Sequence, residues 1–62
     1  MATLAEEMIT YRARHNLSQA KFGELCGVSV MTINFVERGL QNPSNLTAAK
    51  IRILLDSEKE EK

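Results

Sequence analysis

Apolar residues in this chain recur at intervals of three and four, and the strict alternation of a half-buried strand is absent. Short breaks rich in Gly, Asn and Ser divide the pattern into four runs, and each run predicts a helix. In the first, Leu4 and Met8 form the inward stripe, with Tyr11 and Arg12 one turn on. Thr3-Leu4-Ala5-Glu6 has the spacing of a capping box, so the helix starts there and runs to about Arg14. His15 and Asn16 close it: a cation suits the last turn, and Asn tolerates the left-handed conformation that ends helices.

The middle of the chain uses one device twice. Ser18 is a strong N-cap, preceded by Leu17 and followed by Phe22 at the fourth helical position. That arrangement is a hydrophobic staple, which fixes the angle at which the chain enters the helix. The helix stops at Gly27, a residue free to take positive φ. Val28, Ser29 and Ile33 then repeat the staple and cap, and this helix runs to about Glu37 and ends near Gly39. Two stapled helices joined through Cys26-Gly27-Val28-Ser29 make a helix–tight turn–helix unit. The small residues Ala20 and Gly23 are expected to let its two helices approach closely.

Residues 40–43 read as a loop, and the last helix begins in one of two ways. Either Asn42 is the cap with Pro43 at the first helical position, or Ser44 is the cap. The helix continues to about Asp56 or beyond and is apolar on two sides. Ala48, Ile51 and Leu55 form one stripe; Leu46, Ala49 and Ile53 form another. Lys50 and Arg52 separate them, and Leu54 narrows the gap. One stripe packs on the core. The other is expected to meet a second copy of the chain, or else to be covered by Leu40 and the loop folding back. Residues 1–56 are read as the domain and 57–62 as a charged tail, frayed and solvated, in which Glu58 and Lys62 have the spacing of a helical ion pair.

The expectation is therefore a single all-α domain of four helices, the second and third forming a helix-turn-helix. A chain of 62 residues buries only about 60% of its unfolded surface, so its stability margin is thin. Cys26 is the sole cysteine, which excludes an internal disulfide and suits a reducing cytosol. It is expected as a small core residue beside the turn. With one Cys and one His there is no metal-ligand set, and no cofactor is expected. No acid–base pair and no phosphate loop is present, so an enzyme is not expected. No apolar run reaches the roughly 18 residues of a membrane span, and no leader pattern is seen; a cytoplasmic location is expected.

The formal net charge of zero is, on its face, poor for a nucleic-acid binder, and the distribution of charge softens that. Residues 1–55 carry six Lys/Arg against four Glu, a balance of +2, and the remaining seven residues carry four acids and two lysines. The body is mildly basic, which permits nucleic-acid binding.

The run Leu17-Ser18-Gln19-Ala20-Lys21-Phe22-Gly23-Glu24-Leu25-Cys26-Gly27-Val28-Ser29, followed by Thr32-Ile33, Glu37-Arg38-Gly39 and Asn42-Pro43-Ser44, resembles the Cro/CI-like (XRE-type) helix-turn-helix family of phage and bacterial repressors. The resemblance covers residues 4–55. It implies sequence-specific binding of duplex DNA by a transcriptional repressor, acting as a homodimer and reading the major groove with the helix at about 30–37. By similarity, Ser18 and Gln19 fall where the family contacts phosphate, and Ser29, Val30, Met31, Asn34 and Phe35 fall on the face that meets base edges. Arg12 and Glu37 fall where the family has an internal ion pair joining the first helix to the recognition helix. Arg38 and the loop at Gln41 and Asn42 are placed to grip the flanking backbone.

Two departures stand out. Base reading relies on Arg, Lys, Asn or Gln, whereas Val30, Met31 and Phe35 leave only Asn34 and Thr32 with polar groups. Modest discrimination is expected, or else a different use of the same face: Val30, Met31 and Phe35 as the anchor of a protein-interaction module such as an antirepressor. The second departure is the fifth helix that repressors of this type usually add for dimer contact; no clear fifth helix is expected here, which turns attention to Leu46, Ala49 and Ile53.

Overall fold

The computed structural model describes residues 3–60, with side chains described through Ser57. Four helices follow in order: α1 Leu4–His15, α2 Gln19–Cys26, α3 Val30–Glu37 and α4 Asn45–Glu60. No strand occurs among the described residues. The ion-pair spacing of Glu58 with Lys62 lies outside the described side chains, while the backbone of α4 stays helical through Glu60.

The caps explain the boundaries. Thr3 accepts from the amide of Glu6 at 3.1 Å, and the Glu6 carboxylate accepts from the amide of Thr3 at 3.0 Å, which completes the capping box. Ser18, Ser29 and Ser44 each accept from the amide three residues on, at 3.0, 3.2 and 3.2 Å. Ser44 thus starts α4, and the reading with Asn42 as cap is set aside: Pro43 and Ser44 lie before the helix.

At their C-termini, α1, α2 and α3 close in a common way. Asn16, Gly27 and Gly39 take φ of 56°, 79° and 75°. The amides of the following residues Leu17, Val28 and Leu40 reach back to the carbonyls of Arg12, Gly23 and Phe35 at 2.9, 2.8 and 2.9 Å. These six-residue closures satisfy carbonyls that a helix end otherwise leaves open.

Met8, Phe22, Ile33, Val36, Ile51 and Leu55 form the core, with Leu4, Tyr11, Leu17, Cys26, Val28 and Leu54 packed around it. Each helix therefore contributes at least one fully buried side chain. Both staple pairs, Leu17 with Phe22 and Val28 with Ile33, lie in this cluster. Across α1 and α2, the rings of Tyr11 and Phe22 meet edge-on with centroids 5.8 Å apart. Arg52 of α4 donates to Glu7 of α1 at 2.6 Å. That pair is substantially exposed and adds at most about 1 kcal/mol.

Gly23 is the residue that lets α2 and α3 approach. A Cβ there would lie 2.5 Å from the Val28 carbonyl oxygen and 3.4 Å from Ile33. The obstacle is backbone that cannot rotate away, so the turn itself would have to shift. Ala20, expected to share this role, is exposed. Gly23→Ala is expected to destabilise the fold by roughly 1–3 kcal/mol despite the better helix propensity of alanine. Urea denaturation checks this, and an unchanged or raised midpoint would contradict the close approach.

Of the two apolar stripes on α4, Ile51 and Leu55 enter the core, with Ala48 half-buried beside them. Leu46 and Ile53 remain 68% and 72% exposed, and Ala49 is exposed as well. The fold-back alternative is corrected: Leu40 is itself 63% exposed and covers neither. The Gly39 turn and the short loop to Ser44 place Leu40 on the surface.

Candidate nucleic-acid interface

Two N-termini define the site, those of α2 at Ser18 and of α3 at Ser29. Helix N-termini carry unpaired amides and a partial positive charge, which suit phosphate oxygens. The serine caps, the staples and the α2–α3 turn set the angle between these ends, so the site's rigidity comes from local sequence plus one close backbone contact at Gly23.

A polar network locks α3 against the rest of the domain. The Arg12 guanidinium grips Glu37 with two bonds, Nε to Oε2 and Nη2 to Oε1, both 2.8 Å. Nη1 of Arg12 also donates to the Leu17 carbonyl at 3.1 Å, tying α1 to the segment that enters α2. Glu37 is 95% buried as a side chain and Arg12 about four-fifths. Planar, two-bond pairing is the strongest form of such contacts. The guanidinium pKa is raised above its ordinary value, chiefly by the hydrogen bond to Glu37; burial opposes this and the attraction of the carboxylate adds to it.

Gln19, the first residue of α2, extends the network. Its Nε2 donates to Glu37 Oε1 at 3.0 Å, and its Oε1 accepts from Asn34 Nδ2 at 3.2 Å. A single carboxamide thus links the start of α2 to two successive turns of α3. The sequence places Gln19 among the phosphate contacts, but the folded chain turns its side chain inward. No local signal in the sequence marks this, because its partners lie 15 and 18 residues away.

The outer face of α3 is apolar at its start. Val30 and Met31 are 45% and 63% exposed, Phe35 and Asn34 are half-buried, and Ser29 is exposed as its cap. The Ser29 hydroxyl also donates to Thr32 Oγ1 at 3.0 Å. Arg38 and Asn42 are exposed beyond the C-terminus of α3, and Ser18 is exposed before α2. Among the described residues, no group of three or more potential metal ligands is present, and no helix is long and apolar enough to cross a membrane. Cys26 is half-buried against the core, and burial pushes its thiol up to about 11, so it stays protonated near neutral pH.

The fold and the two crossed, serine-capped helices agree with comparison to known families: a helix-turn-helix family model matches residues 8–62. The chain belongs to the Cro/CI-like helix-turn-helix family. Among curated proteins and solved structures, none gives a significant match. This helix-turn-helix protein is accordingly a DNA-binding transcription regulator, from a family of DNA-binding and not enzymatic domains. In it, α2 is the first helix of the motif and α3 the second.

Proposed function

We propose that the protein is a repressor-type regulator that binds duplex DNA sequence-specifically, laying α3 in the major groove as a homodimer on a two-fold site. The observation that carries this reading is the exposed start of α3: Val30 and Met31 stand outward on a short helix whose far end is clamped by Arg12 and Gln19 through Glu37. A major groove admits one helix, and only a helix held at a fixed angle reads base edges reproducibly. The backbone amides at Ser18 and Ser29, with Arg38 and Asn42 outside them, contact phosphate. Val30, Met31 and Phe35 meet thymine methyl groups, and Asn34 supplies the hydrogen bond. With so few polar readers, affinity comes largely from phosphate contacts and falls as salt rises.

Binding to a random duplex pool at low salt, followed by selection of the bound fraction, tests the reading. An enriched two-fold motif supports it. No binding at any salt concentration, together with recovery of a protein partner that Met31→Glu abolishes, would transfer α3 to a protein-docking role. Arg38→Ala is expected to weaken binding to all sequences alike and to reduce the slope of log affinity against log salt by about one. A changed sequence preference would instead make Arg38 a base reader.

The second copy docks on the outward stripe of α4, where Leu46 and Ile53 lie exposed on the side of the helix away from the core. Sedimentation equilibrium should show a reversible dimer that Ile53→Glu converts to monomer without loss of helicity. A wild-type protein that stays monomeric at high concentration removes this part of the proposal.

A further inference from the structure

We infer that Gln19 is a positioning residue that fixes what Asn34 presents to the groove: a hydrogen-bond acceptor, suited to a base that carries an exocyclic amine. The inference rests on the DNA-reading role of α3 proposed above and specifies its chemistry.

The argument is one of donors and acceptors. Arg12 can only donate, and ionised Glu37 can only accept. Glu37 takes two bonds from Arg12 and one from the Gln19 amide nitrogen. The two ends of a carboxamide are interchangeable in shape, but here the carboxylate selects the nitrogen end of Gln19. The oxygen end of Gln19 must then face Asn34, and it accepts from Asn34 Nδ2 at 3.2 Å. Asn34 is thereby oriented in turn, with its nitrogen inward and Oδ1 on the other side. Among the described residues no donor reaches that Oδ1, and no buried side-chain nitrogen or oxygen lacks a partner. Asn34 is only half-buried, so Oδ1 is open to solvent. The orientation is imposed from Arg12 through Glu37 and Gln19, and reversing the Asn34 amide would set two oxygens against each other.

In the major groove, adenine N6 and cytosine N4 are donors, whereas guanine O6 and thymine O4 are acceptors. An outward Oδ1 therefore favours A or C at the base it meets and opposes G or T. Val30 and Met31 have no such polarity, which leaves Asn34 as the side chain on this face whose preference depends on a neighbour's hydrogen bonds.

Selection from a random duplex pool with the full-length protein, Gln19→Leu and Asn34→Ala tests this. The wild type should favour A or C over G or T at one position of each half-site by roughly fivefold, the range of one net hydrogen bond. Gln19→Leu, which leaves the Asn34 amide free to turn, should flatten that same position to within about twofold, and other positions should be unchanged. Asn34→Ala should flatten it too, and serves as the independent readout if Gln19→Leu folds poorly. If Gln19→Leu weakens binding equally across all sequences with the profile intact, Gln19 is a phosphate contact and the inference is overturned. Overturning also follows if the wild type selects G or T at the position that Asn34→Ala alters, or if Asn34→Ala alters none. In those cases an enriched motif leaves the DNA-binding proposal standing; a pool with no enrichment removes both.

Discussion

Glu37→Ala is expected to cost about 3 kcal/mol of folding stability, near the lower end of what breaking a buried ion pair costs. The deleted carboxylate accepts three hydrogen bonds, two from Arg12 and one from Gln19, and its side chain is only 5% exposed. Removing it leaves the Arg12 guanidinium with one bond to the Leu17 carbonyl and no counter-charge in the network. Arg12 is 21% exposed and regains some hydration, which keeps the cost from the top of the range. A domain this small commands only about 3–5 kcal/mol in total, so the variant should keep at most about 2 kcal/mol and be partly unfolded at 25 °C. Glu37→Gln keeps one acceptor and should fall between the two. Replacing both partners by apolar residues of similar size should cost much less than Glu37→Ala, because no charge is stranded. Circular dichroism in urea measures all three. A Glu37→Ala cost below 1 kcal/mol would mean that the pair behaves as a surface contact.

Phe22→Ala carries a comparable penalty, about 3–5 kcal/mol. Phe22 is fully buried, closes the staple with Leu17 and meets the edge of Tyr11. The void would open beside the Tyr11 ring, in a core of six fully or nearly fully buried side chains among the described residues. So small a core has little capacity to collapse around the loss. The variant should lose most of its helical signal at 25 °C and recover it in a stabilising osmolyte. A cooperative melt close to that of the parent would show that α2 is held by its caps and not by its packing.

The two variants probe different sources of order. Phe22 anchors α2 by area removed from water, whereas Glu37 fixes the orientation of α3 by directed bonds. Burial of apolar area is non-directional, whereas the two-bond grip from Arg12 and the Gln19 bridge select a particular orientation of α3. For a helix that reads base edges, that selection bears on function as much as on stability.

The four helices and the limits of the first three were legible in the sequence because their determinants are local. A serine three residues before the amide it caps, a staple between residues five apart and a glycine or asparagine in the left-handed region act within about two turns of helix. The family resemblance rested on the same stretch; the pairing of Arg12 with Glu37, 25 residues apart, came from that resemblance and from no local pattern. Between two equally local starts for α4, at Asn42 or Ser44, the sequence could not choose, since each offers a side-chain oxygen to an amide two or three residues on.

What only the tertiary structure decided depends on atoms far apart in the chain. Whether Leu40 covers Leu46 and Ile53 turns on the direction in which the loop leaves Gly39, and it leaves them open. That Gly23 is buried against the Val28 carbonyl while Ala20 is exposed depends on how α3 turns back onto α2. The inward turn of Gln19 required knowing that one carboxylate and one amide, from different turns of α3, come within about 3 Å of it at once. Periodicity and capping specify which face of a helix is buried; they carry no information about the crossing that brings particular donors and acceptors together.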